Sequence, residues 1–92
     1  MAKLYKDDGT IIEVEPKNGR HFRLEELYEM LECDLVEMVF LKDDKVMLID
    51  EEGKYTKSTL NVNATNLYNA VSRLNYDWIA GHALVCESYQ FR

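Results

Sequence analysis

Two cysteines, two histidines and a run of acids are the residue types here that could do chemistry. A thiol nucleophile needs a base within hydrogen-bond reach. Cys33, Cys86, His21 and His82 supply both partners, but they are scattered, and neither cysteine sits in a local signature of a thiol enzyme. No short ligand pair such as C-x-x-C is present, so the four do not predict a zinc site. Cys33 ends a helical stripe and Cys86 lies in an apolar run, where each serves as a small buried hydrophobe. Asp50, Glu51 and Glu52 form a carboxylate cluster of the kind that exchanges protons or holds a hard cation. Their spacing is not that of a calcium loop, and Gly53 follows as a turn residue, so a solvated hairpin end accounts for them. No G-x-x-x-x-G-K-[ST] run occurs among only four glycines, which leaves nucleotide cradling without support. No catalytic residue, metal ligand or cofactor is assigned.

The run NVNATNLYNAV at 61–71 is the other candidate. Ala64, Leu67, Tyr68, Val71 and Leu74 follow helical spacing, and Asn is among the best N-cap residues. Asn63 is placed as the cap, Asn61 in the preceding loop, and Asn69 on the exposed side. A ligand loop is the competing explanation: Asn61 and Asn63 together with Asp50–Glu52, which requires a concave pocket where the two loops meet. Asn63-Ala64-Thr65 matches a glycosylation pattern that matters only in a secreted protein.

The elements that would position these residues follow from periodicity. Asp8-Gly9 between β-formers predicts a hairpin, and Pro16 ends its second strand. Lys17-Asn18-Gly19-Arg20 predicts a loop with a left-handed residue at 18 or 19. Leu24, Leu27, Tyr28 and Leu31 form one helical stripe, with Glu25, Glu26, Glu29 and Glu32 toward water. Arg23 is the cap position, and Phe22 with Leu27 fits a hydrophobic staple. The run 35–41 is apolar on both faces except Glu37, which predicts a central, doubly covered strand. Lys42-Asp43-Asp44-Lys45 turns it into a partner strand over 46–50. Trp78 is expected in the core. Ala83–Cys86 forms a last strand. The order predicts an α+β domain: a mostly antiparallel sheet of about five strands with two helices packed on one face.

Ninety-two residues support one domain, since single cores usually run to roughly 100–150 residues. No apolar run approaches the roughly 18 residues of a membrane span. The N-terminal MAKLYKDDGT is too charged for a signal peptide, which places the chain in the cytoplasm with reduced thiols. The net charge of −6 is uneven. Residues 24–52 set eleven acids against Lys42 and Lys45, a net of −9, while residues 1–23 and 53–92 carry +1 and +2. Direct nucleic-acid binding through that segment is disfavoured, because phosphates demand cations.

The assembled pieces, VEPKNG, FRLEELYEML, IDEEGK at 49–54, N-x-N-A-T at 61–65 and I-A-G at 79–81, resemble the small family named domain of unknown function thirty-eight forty-six. The resemblance covers most of the chain and implies a phage, conjugative-element or gut-bacterial setting; it points to no particular activity. It places Asp50, Glu51, Glu52, Gly53, Asn61, Asn63, Thr65 and Gly81 at motif positions, where turn and cap chemistry is a sufficient reason for them.

The expectation is a non-enzymatic accessory protein that binds another protein, with Glu25, Glu29, Glu32, Asp34 and Glu37 as a charged contact surface. A sharper form is an acidic mimic of DNA that blocks a host nuclease or repressor. The alternative class is a small-ligand protein or enzyme built on the Asn61/Asn63 loop. A homodimer through the neutral outer face of the second helix, whose one formal charge is Arg73, is a third.

Overall fold

A computed structural model describes residues 2–56, 59–71 and 78–91. The first hairpin forms at its Asp-Gly signal. Strand β1 (Ala2–Tyr5) pairs antiparallel with β2 (Ile11–Val14). Lys6 N–H donates to the Thr10 carbonyl at 2.8 Å, and Gly9 takes φ +95°, a conformation that side-chain-bearing residues resist. In the next loop the left-handed residue is Gly19, and the Asn18 side chain accepts from the N–H groups of Arg20 and His21.

The second hairpin joins β3 (Val36–Phe40) to β4 (Lys45–Asp50). Leu41 N–H donates to the Lys45 carbonyl at 2.9 Å, and Asp43 and Asp44 both take φ 60°. Two acids thus hold a left-handed turn that Asn-Gly holds with less strain. The double change Asp43→Asn, Asp44→Gly is expected to stabilise the fold by about 1 kcal/mol. It should appear as a raised urea midpoint at unchanged slope.

Strand β5 (Ala83–Glu87) pairs with both β1 and β4, giving one antiparallel sheet in the order β2-β1-β5-β4-β3. The α+β class and the five strands are as expected. Two details differ. The run 36–40 is an edge strand, with Glu37, Met38 and Phe40 exposed. An apolar run alone does not separate a central strand from an apolar edge. The doubly covered strand is its partner β4, buried from Val46 through Asp50.

The second difference concerns the layers. Val46 and Leu48 of β4 pack with Ala2, Leu4, Phe22, Leu27, Leu31, Leu84 and Cys86. Met47 and Ile49 pack with Ala64, Ile79 and Ala83. Successive strand side chains point to opposite faces. Helix α1 (Leu24–Leu31) therefore covers one face and α3 (Val62–Val71) the other, not a shared face. Four consecutive apolar residues in β4 require that double cover.

Helix α1 starts after Arg23, as the spacing predicts, and Phe22 and Leu27 are both fully buried. Arginine offers no acceptor for a cap. Glu26 supplies it instead. Its carboxylate accepts from Arg23 N–H at 3.0 Å and from Lys17 N–H at 2.9 Å. Glu26 is therefore buried, not turned to water. Burial opposes its ionisation, but the two backbone N–H groups outweigh that, and its pKa lies below the ordinary carboxylate value. The helix ends at Glu32, left-handed at φ 54°, with Cys33 N–H bonded to the Tyr28 carbonyl at 3.0 Å.

Candidate functional site

The three motif stretches meet at one junction. Asn61, not Asn63, caps α3: its Oδ1 accepts from Ala64 N–H at 3.0 Å. Its Nδ2 donates to the Tyr5 and Gly81 carbonyls, both at 2.8 Å. Asn63 lies within the first turn, half-buried. The helix begins two residues earlier than expected because only Asn61 faces both β1 and the 79–81 segment. Thr65 is buried, and its Oγ1 accepts from Ile79 N–H at 2.9 Å. Asn61 N–H donates to the Ile79 carbonyl, and Gly81 N–H to the Thr59 carbonyl. The N-x-N-A-T and I-A-G pieces thus lock together through backbone and side chain.

The third piece closes on the same segment. Asp50 Oδ1 accepts from Glu52 N–H at 2.9 Å and leads into a single turn, α2 (Gly53–Thr56). Asp50 is buried while Glu51 and Glu52 are exposed, so the solvated-turn expectation holds for two of the three acids. Gly53 opens α2, as a turn residue, but without a positive φ. It is buried under Ala80, whose carbonyl oxygen would lie 2.7 Å from an added Cβ. Gly53→Ala is expected to destabilise by about 1–3 kcal/mol, measured by urea unfolding, because the contact is with backbone that cannot swing away.

Outside this junction lies a groove of about 480 Å³. Its walls are β3, the Ile49–Glu51 strand end, Gly53, Lys54 and Tyr55, then Tyr68 and the 78–80 segment. Among the described residues that line it, Asn61 and Asn63 do not appear, so this groove is not the pocket expected where the two loops meet. The Asp50 loop walls the groove, and the asparagine side supports the 79–81 segment. Trp78, expected in the core, is half-buried in this wall, with Lys54 Nζ 5.4 Å from its ring centroid. Phe40 at 71% and Tyr55 at 90% exposure stand at the rim.

The β3 edge runs beside it. Leu41 N–H and the Leu35 carbonyl both bond toward the β4 side, the latter to Glu51 N–H at 3.0 Å. Alternate residues of an antiparallel strand direct their backbone groups to the same side. Val36, Met38 and Phe40 therefore present N–H and C=O outward, and no described strand pairs there. Periodicity signalled the apolar run but not its place at the edge. Lys54, Tyr55, Tyr68 and Trp78 carried no motif that marked them as groove residues.

Of the five acids predicted as one surface, Glu37 lies on the opposite face of the sheet from α1, while Glu25, Glu29, Glu32 and Asp34 are exposed along α1 and the turn that follows it. Glu25 and Glu29 share a shallow depression with Lys17 and Arg23. Glu32 Oε2 lies 3.3 Å from His82 Nε2, while His82 Nδ1 accepts from Asp7 N–H at 3.2 Å. Asp34 is exposed in the turn before β3. Glu37 pairs in register with Ile49, on the α3 face, and lines the groove. Arg73, on which the neutral outer face of the second helix was judged, lies outside the described residues.

Neither cysteine is in a disulfide; Cys33 is half-buried and Cys86 buried. Desolvation, aided by the Glu87 charge, pushes the buried Cys86 thiol up to about 11, so it stays protonated and a poor nucleophile at neutral pH. Among the described residues no three His, Cys, Asp or Glu side chains are placed to hold a metal, and no helix is long and apolar enough to cross a membrane.

No curated protein and no solved structure matches the chain. One family model does, that of "Domain of unknown function (DUF3846)", over residues 2–90. That span includes all three stretches that build the junction, and the chain belongs to this family.

Proposed function

We propose that the protein is a non-enzymatic binding module that takes an extended segment of a partner protein along β3 and into the adjoining groove. The observation that supports this reading is the outward-facing edge of Val36, Met38 and Phe40 beside an aromatic-walled groove. An apolar edge strand is a template for another chain, and sheets that do not use one usually blunt it. Main-chain pairing would supply affinity, and side-chain pockets would supply selectivity. The same reading makes the protein an accessory factor of a phage or conjugative element acting in the cytoplasm, in keeping with the resemblance of its motifs.

The acidic DNA mimic fits less well. Glu25 and Glu29 stand beside two basic groups, Glu26 is consumed by backbone capping, and Glu37 belongs to the other face. A phosphate-like array needs those charges on one surface.

The single tryptophan of the chain sits in the groove wall and reports on it. The capped pentapeptide acetyl-Thr-Val-Lys-Val-Thr-amide is expected to change Trp78 emission on titration. Met38→Pro removes one outward N–H without touching the β3–β4 ladder. It should weaken that binding about tenfold, the value of roughly one backbone hydrogen bond, while the fold is kept. Equal affinity in the proline variant would overturn edge pairing.

A further inference from the structure

We infer that the groove selects its partner through one cationic side chain, a lysine or arginine, which takes the place of Lys54 over the Trp78 ring. This rests on the edge-pairing reading above and specifies which segment is taken.

Two independent observations carry it. The first is charge. Among the described residues, the exposed carboxylates of Glu37 and Glu51 line the groove beside the Lys54 amine. An occupant that covers these carboxylates and brings no cation would desolvate them without compensation, and an acidic occupant would be repelled. The second is the ring itself. Lys54 Nζ stands 5.4 Å from the Trp78 centroid, so the aromatic wall already accepts an ammonium group. Lys54 is exposed, at the second position of a four-residue helical turn. Its flexible stem can leave the ring when a competing cation arrives. Trp78 and Tyr68 offer apolar faces for the methylenes of the incoming side chain.

Strand geometry fixes where that side chain sits. In a segment paired to β3, alternate residues face opposite sides of the sheet. Those on the α3 side enter the groove, and those between them lie beside Met38 and Phe40, whose register partners Leu48 and Val46 belong to the α1 face. The favoured segment therefore alternates, with a β-branched or apolar residue on each side of one Lys or Arg. The peptide acetyl-Thr-Val-Lys-Val-Thr-amide has this pattern.

The test compares that peptide with two analogues carrying norleucine or glutamate in place of its lysine. All three are titrated against the full chain, followed by Trp78 fluorescence and amide shifts. The lysine peptide is expected to bind about tenfold tighter than norleucine, from the ion and ring terms together. Glutamate should bind weakest. Glu37→Gln with Glu51→Gln, both exposed positions, should erase most of the lysine preference. Lys54→Met should tighten lysine-peptide binding several-fold, because the internal competitor is gone. A purely structural Lys54 would produce no gain. Equal binding of the lysine and norleucine peptides would overturn the cation inference and leave edge pairing standing. Binding of none of the three would overturn both.

Discussion

Replacing Asn61 by alanine is expected to cost about 3–4 kcal/mol. That corresponds to a fall in Tm of roughly 15–25 °C for a domain this size. Three interactions go at once. The Ala64 N–H loses its cap, and the carbonyls of Tyr5 and Gly81 lose their donor. Asn61 is 1% exposed, so water does not replace them. Asn61→Asp keeps the capping oxygen but turns a carboxylate on two carbonyl oxygens, and should be no better than alanine. Asn63→Ala should stay within about 0.5 kcal/mol, as half-buried helical positions without a special role usually do. Urea unfolding of the three variants decides the matter. A costly Asn63→Ala beside a mild Asn61→Ala would mean that the cap is misplaced.

Glu26 gives the second large effect. Glu26→Gln is expected to destabilise by about 2 kcal/mol at pH 7. The carboxylate accepts from two backbone N–H groups, and an amide offers one oxygen and a donor in their place. The pH dependence has a definite sign. The folded-state pKa is lowered, burial notwithstanding, by bonds from Arg23 and Lys17. The stabilisation is therefore complete above the unfolded-state pKa and is lost as pH falls through the folded one. Wild type and Glu26→Gln should converge as the solution is acidified below the carboxylate range. A difference that stays constant from pH 7 to acid would contradict the assignment.

These two residues also show what the sequence could tell. Hairpin turns at Asp8-Gly9 and 42–45 were readable, because turn chemistry is local. So was α1, from its apolar stripe. Spacing alone puts Glu26 off that stripe and toward water. Its burial comes from the 16–20 loop folding back over the helix start, which no local pattern encodes. Asn61 and Asn63 are equally good caps by residue type. The choice between them depends on β1 and the 79–81 segment, far away in the chain. Gly53 looked like a turn glycine, yet what excludes a side chain there is the Ala80 carbonyl. Strand order decided the rest. An apolar run at 36–40 becomes a free edge or a central strand according to which strand β5 chooses to flank, and β5 inserts between β1 and β4. The groove exists only after that choice is made, so Lys54, Tyr68 and Trp78 carried no signal in advance.

The most direct test of edge recognition is an amide and indole shift map of the isotopically labelled chain, titrated with acetyl-Thr-Val-Lys-Val-Thr-amide. The predicted result is that the Val36, Met38 and Phe40 amides and the Trp78 indole move together, with one dissociation constant, while the Glu25 and Glu29 region stays fixed. Shifts confined to the outer face of α1 would contradict it, and so would a spectrum that does not respond at millimolar peptide.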